Sequence, residues 1–166
     1  MVFDASGSHK VAGMSSLAAL EGRSWPSAAP FEVGREHVRA FARVVGASAS
    51  VHFDVQAARS AGFEDLVAPV TFVATVAQQS EWLLWGDPQV GIDFQRVVHG
   101  EERIEIVRPI VAGDVLSAEL LIERVREVRG NTMLTTRTDL SGADGVRLAS
   151  VWSMIVVRAD EVEGDS

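Results

Sequence analysis

The chain contains no cysteine. That excludes a disulfide framework, a thiolate nucleophile and any cysteine-ligated metal. It also lacks a basic surplus: 23 acidic against 15 basic residues leave a net charge of −8 and a pI near 4.9. Nucleic-acid binding, which needs a clustered basic surface, is therefore excluded. No apolar run reaches the roughly 18–20 residues that span a bilayer, and residues 1–16 have no signal-peptide apolar core. The expectations are no membrane span and a cytoplasmic protein. What the 166 residues do contain is 47% apolar and only 23% charged side chains, enough for one domain with a real core.

Composition divides the chain in three. Residues 1–28, rich in Ser, Ala and Gly, read as a mobile extension, with contact to the domain beginning around Gly22 to Trp25. Residues 29–158 form the domain, and 159–166 an acidic tail. Within the domain, Val38, Phe41, Ala42 and Val45 recur at helical spacing and predict an amphipathic helix over 35–45. Asp54 as N-cap and Gly62 as stop bracket a second short helix over 54–61. Pro69 fits the first turn of a long third helix over 70–85, where a missing N–H costs nothing. That helix is apolar on nearly all sides, so it belongs inside a wrap of sheet.

After the third helix the period changes to two. The segment from Arg103 to Arg108 alternates, and 115–128 is a long strand with Ala118, Leu120 and Ile122 on one face. A phase slip near Glu123 and Arg124 predicts a bulge. Strands over 132–140 and 146–157 follow, the last apolar on both faces and hence central. Helices first and antiparallel strands afterwards make an α+β pattern.

Four segments carry a resemblance: Phe31-Glu32-Val33-Gly34-Arg35-Glu36, Phe41-Ala42-Arg43, Leu66-Val67-Ala68-Pro69-Val70-Thr71-Phe72 and Arg108-Pro109-Ile110-Val111-Ala112-Gly113-Asp114. In order and spacing they resemble MaoC-like (3R)-hydroxyacyl-thioester dehydratases and (R)-specific enoyl hydratases. The nearest likeness is to the N-terminal, non-catalytic-type subunits of two-chain dehydratases. The resemblance implies a single hot-dog domain, an antiparallel sheet wrapped around a long helix. It also implies acyl-thioester chemistry in fatty-acid metabolism, with coenzyme A or an acyl carrier protein as the carrier.

Active members of that family carry a Ser-Gly-Asp-x-Asn-Pro-Ile-His-x-Asp segment. Carried onto this chain, the motif puts Ala47 at the catalytic Asp, His52 at the catalytic His and Asp54 at the final Asp. Hydration of a 2-enoyl thioester needs an activated water and a proton delivered at Cα, and a paired acid and base each contribute roughly 10²–10⁴-fold. Ala47 has no proton to give, so His52 stands alone, as a base or as a packing residue. Asp54 reads as the N-cap. The family's Ala-His-Gly before the long helix is here Ala68-Pro69-Val70. The amides of Val70, Thr71 and Phe72 remain as candidate thioester-binding groups at a helix N-terminus. Thr71 reads equally as a local cap, and Phe72 as core.

His99 sits in Val97-Val98-His99-Gly100-Glu101, a turn or strand edge. With Glu101 and Glu102 it offers no third ligand at a defined spacing, so neither a metal nor another cofactor is expected. His9 and His37 read as surface residues, and Glu36 with Arg39 as a solvated pair. Arg124, Arg126 and Arg129 form either a solvated strand face or a phosphate contact. The expected function is an acyl-tunnel-shaping subunit whose partner chain supplies the Asp and His. The alternatives are a self-sufficient homodimeric hydratase using His52 and a non-enzymatic acyl-CoA-binding protein. The open sheet edge of a lone domain predicts pairing, as a homodimer or as a heterodimer with a catalytic hot-dog subunit.

Overall fold

The computed structural model describes residues 17–27 and 29–159. Three helices lead into a run of four long strands. In order these are α1 (Arg35–Val44), α2 (Val55–Ser60) and α3 (Phe72–Gly86), then β3 (Val97–Ile106), β4 (Val115–Val128), β5 (Asn131–Ser141) and β6 (Arg147–Val157). Two short strands precede them, β1 (Ser24–Pro26) and β2 (Phe31–Glu32). The sheet runs β1-β4-β5-β6-β3 with β2 added to β4, and every pairing is antiparallel. β6 is interior, as its two apolar faces required. The α+β hot-dog expectation holds: a long helix lies against one face of a curled antiparallel sheet.

Period two explains the packing. β4 buries Leu116, Ala118, Leu120 and Ile122, while β5 buries Leu134, Thr136, Thr138 and Leu140. The predicted bulge is present, as a register shift between Ile122 and Arg124. Against this face α3 sets Phe72, Val73, Val76, Ala77 and Leu84. Each fully buried Val, Leu, Ile or Phe among these contributes about 1.5–3 kcal/mol.

Several boundaries differ from the sequence reading. α3 begins at Phe72, because the chain first makes a turn in which the Phe72 N–H donates to the Pro69 carbonyl at 2.8 Å. Pro69 therefore precedes the helix, and Thr71 is its N-cap residue without a side-chain cap bond. Nor is α3 enclosed on all sides. The sheet covers one side only, and Trp82 and Leu83 stay exposed beside Gln78 and Gln79. α1 stops at Val44, leaving Val45 46% exposed. Its end is a Schellman pair, Ala47 N–H to the Ala42 carbonyl and Gly46 N–H to the Arg43 carbonyl, made possible by φ +69° at Gly46. β3 starts at Val97, six residues before the visible alternation, because a register shift between His99 and Glu101 breaks it.

Part of the region set aside as an extension is packed. Leu17–Leu20 forms a 3₁₀ turn with Leu20 buried, and β1 pairs with β4. The Trp25 indole and Arg23 both bond the Asp87 carboxylate, at 3.1 and 3.0 Å, which ties this segment to the end of α3. Residues 1–16 and 28, with the acidic tail from 160 onward, lie outside the described residues.

Candidate functional site

The Schellman turn at Gly46 directs the chain out of α1 into a 3₁₀ turn, Ser50–His52. Asp54 then caps α2, its carboxylate accepting from the N–H groups of Gln56 at 2.7 Å and Ala57 at 3.4 Å. Arg39 bonds the Phe53 carbonyl at 3.1 Å while pairing with Glu36, so the pair read as solvated also anchors this turn to α1. The turn then clasps the strand-like segment before α3. Val67 N–H donates to the Val51 carbonyl at 3.0 Å, and His52 Nδ1 lies 2.6 Å from the Val67 carbonyl.

That clasp sets the histidine's chemistry. A carbonyl only accepts, so Nδ1 carries the hydrogen in the neutral ring and Nε2 is the basic nitrogen. His52 lines a cavity of about 280 Å³ at the start of α3, between the Val67–Val70 and Pro109–Ile110 segments. Every other lining residue is apolar, Val70, Val73 and Ile106 among them. The cavity thus holds one base and no second titratable group. Ala47 is half-buried and lies outside the lining.

Two arginine–carboxylate forks hold the walls. Asp114 takes Arg108 through both oxygens, at 2.7 and 2.9 Å, and accepts the Val111 N–H at 2.8 Å. The segment 108–114 is in this way a self-bonded loop that presents Pro109 and Ile110 to the cavity. Opposite it, Asp65 is bound by Arg35 at 2.9 and 2.7 Å. Hydrogen bonding from Arg35, with help from the Leu66 N–H, pushes the Asp65 carboxyl down to about 2. Main-chain bonds from Ala68 N–H to the Ile110 carbonyl, 2.8 Å, and from Ala112 N–H to the Leu66 carbonyl, 2.9 Å, join the two walls.

The three residues at the helix start separate. Val70 lines the cavity and is 63% exposed, and Thr71 is exposed outside the lining. Phe72 is buried, its ring against Phe41 at 5.4 Å and Phe31 at 6.0 Å. Its N–H is occupied by Pro69, whereas those of Val70 and Thr71 meet no acceptor among the described residues. Two amides, not three, are available to polarise a carbonyl.

His99 is not an isolated turn residue. Its Nε2 lies 3.5 Å from the buried carboxylate of Glu81, which also accepts from Ser153 Oγ at 3.1 Å. Sequence reasoning missed Glu81, though a signal was there: it is the sole charge between Asp65 and Asp87. His37 accepts the Gly34 N–H at 3.4 Å and so caps α1. Arg124, Arg126 and Arg129 are exposed at the β4–β5 end of the sheet, and His9 lies outside the described residues. Among the described residues no three His, Asp or Glu side chains stand close enough to hold a metal. No helix among them is long and apolar enough to cross a membrane.

This fold, with a histidine at a cavity beside the central helix, defines a hot-dog protein of the dehydratase type. The chain belongs to the FAS1-like dehydratase domain family, whose dehydratase domain region matches residues 19–151, and it is MaoC-like. It is 45% identical to a UPF0336 protein of Clavibacter michiganensis subsp. michiganensis, over 86% of this chain and 95% of that one. A UPF0336 protein of Streptomyces coelicolor is 39% identical over 86% and 95%. Among solved structures, the C-terminally truncated HadBC (3R)-hydroxyacyl-ACP dehydratase complex of Mycobacterium tuberculosis superposes with a TM-score of 0.76 at 31% identity, covering 82% of this chain and 96% of that one. A MaoC-like dehydratase gives 0.80 at 32% identity, covering 88% of this chain and 44% of that longer chain.

Proposed function

We propose that the chain is the acyl-thioester-handling subunit of a (3R)-hydroxyacyl dehydratase or (R)-specific enoyl hydratase in cytoplasmic fatty-acid metabolism. It shapes the apolar tunnel, and a partner hot-dog chain supplies the paired Asp and His. The observation that carries this reading is the lone imidazole of His52 in an otherwise apolar cavity. General acid–base catalysis of hydration uses positioned proton donors and acceptors, and the family motif carried onto this chain puts Ala47 at the position of the second group. In this role the cavity takes the carbon next to the thioester, and the N–H groups of Val70 and Thr71 face its carbonyl. The carrier is coenzyme A or an acyl carrier protein.

Partnering is supported by the sheet. Among the described residues β3 pairs only with β6, so its other side is unbonded, and such edges are completed by another sheet. The relative at 31% identity is itself a two-chain complex. Purified alone, the chain is expected to show no hydration of crotonyl-CoA. Addition of a hot-dog chain bearing the complete Asp and His segment should restore turnover. Robust hydration by the chain alone, lost on His52→Ala, would instead establish the self-sufficient homodimeric hydratase. Acyl-CoA binding with no turnover under any pairing would leave the non-enzymatic binding protein.

A further inference from the structure

Glu81 is an anomaly in the core: a carboxylate only 5% exposed on a helix otherwise free of charge. Burial raises its carboxyl above the ordinary range, a shift opposed by His99 and Ser153. The bulge at Gly100 assembles its surroundings. His99 pairs opposite the buried Ile155, and Glu102 opposite the buried Ser153, so both point to the helix side of β3. In an unbroken strand, residues three apart would face opposite sides. The result is a polar cleft of about 140 Å³ lined by Ala74, Gln78, Glu81, His99 and Glu102.

This cleft and the apolar cavity at His52 occupy one seam. Along α3 and the turn before it, the apolar cavity takes Val70 and Val73, and the polar cleft takes Ala74, Ala77, Gln78 and Glu81. Along the edge strand β3 the order is reversed: Ile106 lines the first, Glu102 and His99 the second. Taken in order along these elements, the two cavities place a base first, then the small side chains of Ala74 and Ala77, then a buried carboxylate.

We propose that Glu81, flanked by His99 and Glu102, is the far wall of the acyl groove and sets the longest unbranched tail the chain accepts. The proposal rests on the acyl-thioester reading above. α3 rises about 14 Å from Phe72 to Glu81 at 1.5 Å per residue, and the turn through Val70 and Thr71 adds about 2 Å, about 16 Å in all. An extended hydrocarbon advances about 1.25 Å per carbon, from bonds near 1.52 Å and angles near 111°. The limit is then about 12 carbons. A longer tail must strip the remaining water from the carboxylate, which an apolar group cannot replace.

Saturated straight-chain acyl-CoAs of graded length, from butanoyl to hexadecanoyl, measure the limit by calorimetry. They are titrated into the chain alone and into its complex with a hot-dog chain bearing the full Asp and His segment. Affinity should rise with length to about 12 carbons and then fall at least tenfold by hexadecanoyl, as expected for desolvating a carboxylate. Glu81→Leu should extend tight binding to hexadecanoyl. Ala74→Leu, on the half-buried side of α3, should lower the limit to about 5 carbons, since four residues span about 6 Å. If Glu81→Leu does not fold, Ala74→Leu decides alone. Equal binding of dodecanoyl and hexadecanoyl by the unmodified chain, or a limit that neither variant moves, overturns the proposal while acyl binding itself stands. Absence of binding at every length, alone and paired, overturns the acyl-thioester reading and this inference with it.

Discussion

Replacing Asp114 by Ala removes three bonds at once. Its carboxylate is 13% exposed and joins Arg108 by two charge-assisted bonds while capping the Val111 N–H. Arg108 is 45% exposed and can return to water, so its share of the loss is about 1 kcal/mol. Val111 is half-buried, and stranding its N–H costs about 1–2 kcal/mol more. The sum is about 2–3 kcal/mol. For a chain of this size that lowers Tm by about 5–10 °C, readable by circular dichroism or by a shift in the urea midpoint. Asp114→Asn keeps an acceptor for Val111 and should lose about half as much. Arg108→Ala should cost only about 1 kcal/mol, because Asp114 still holds Val111. This ordering is the test. If Asp114→Ala melts within about 1 °C of the unmodified chain, or Arg108→Ala costs as much as Asp114→Ala, the 108–114 loop is not held by its own aspartate and the account of the cavity wall fails.

Other outcomes follow from the same geometry. Glu81 has a raised carboxyl pKa, so its contribution is fully present below the ordinary glutamate value and is lost as pH rises through the raised one. Acidifying through the raised value toward the ordinary glutamate value should therefore stabilise the chain by urea unfolding, and Glu81→Gln should flatten that slope; an unchanged slope refutes the assignment. Asp65 has the opposite sign. Its stabilisation holds above the ordinary aspartate value and disappears as pH falls toward about 2, so Asp65→Asn should matter at pH 7 and not in strong acid. Asp54→Ala should cost about 1 kcal/mol as a lost N-cap, measured by the denaturation midpoint. That variant should leave acyl-CoA affinity nearly unchanged, since Asp54 faces its own helix rather than the cavity.

How much of this was legible in the sequence depended on how local the cause was. Asp54 and Gly62 bracket α2 because a cap and a left-handed stop act within one turn. The bulge near Glu123 was visible because alternation on both sides of it is long enough to show a change of phase. β1 was hidden for the converse reason: three residues ending in proline have no period, and Trp25 finds Asp87 only through the tertiary fold. The first half of β3 was masked by Gly100, whose bulge makes His99 and Glu102 look out of phase. Ala47 and His52 could be placed by resemblance, whereas the clasp that sets the histidine's tautomer joins residues 15 apart in sequence. The Glu81–His99 pair joins a helix to an edge strand, and only the sheet order brings them together.

The unbonded side of β3 also bears on how the chain is made in a cell. Any copy synthesised in excess of whatever completes that edge carries an open row of backbone donors and acceptors, a template for further strands. The bulge at Gly100 bends the row, and Glu101, Arg103 and Glu105 place charge along its outer face, both of which oppose indefinite stacking. Supply matched to demand is the remaining safeguard. On the two-chain reading proposed above, the amount of chain at risk of aggregation is set by the imbalance between the two subunits, so doubling the dose of this gene alone should be more harmful than doubling both.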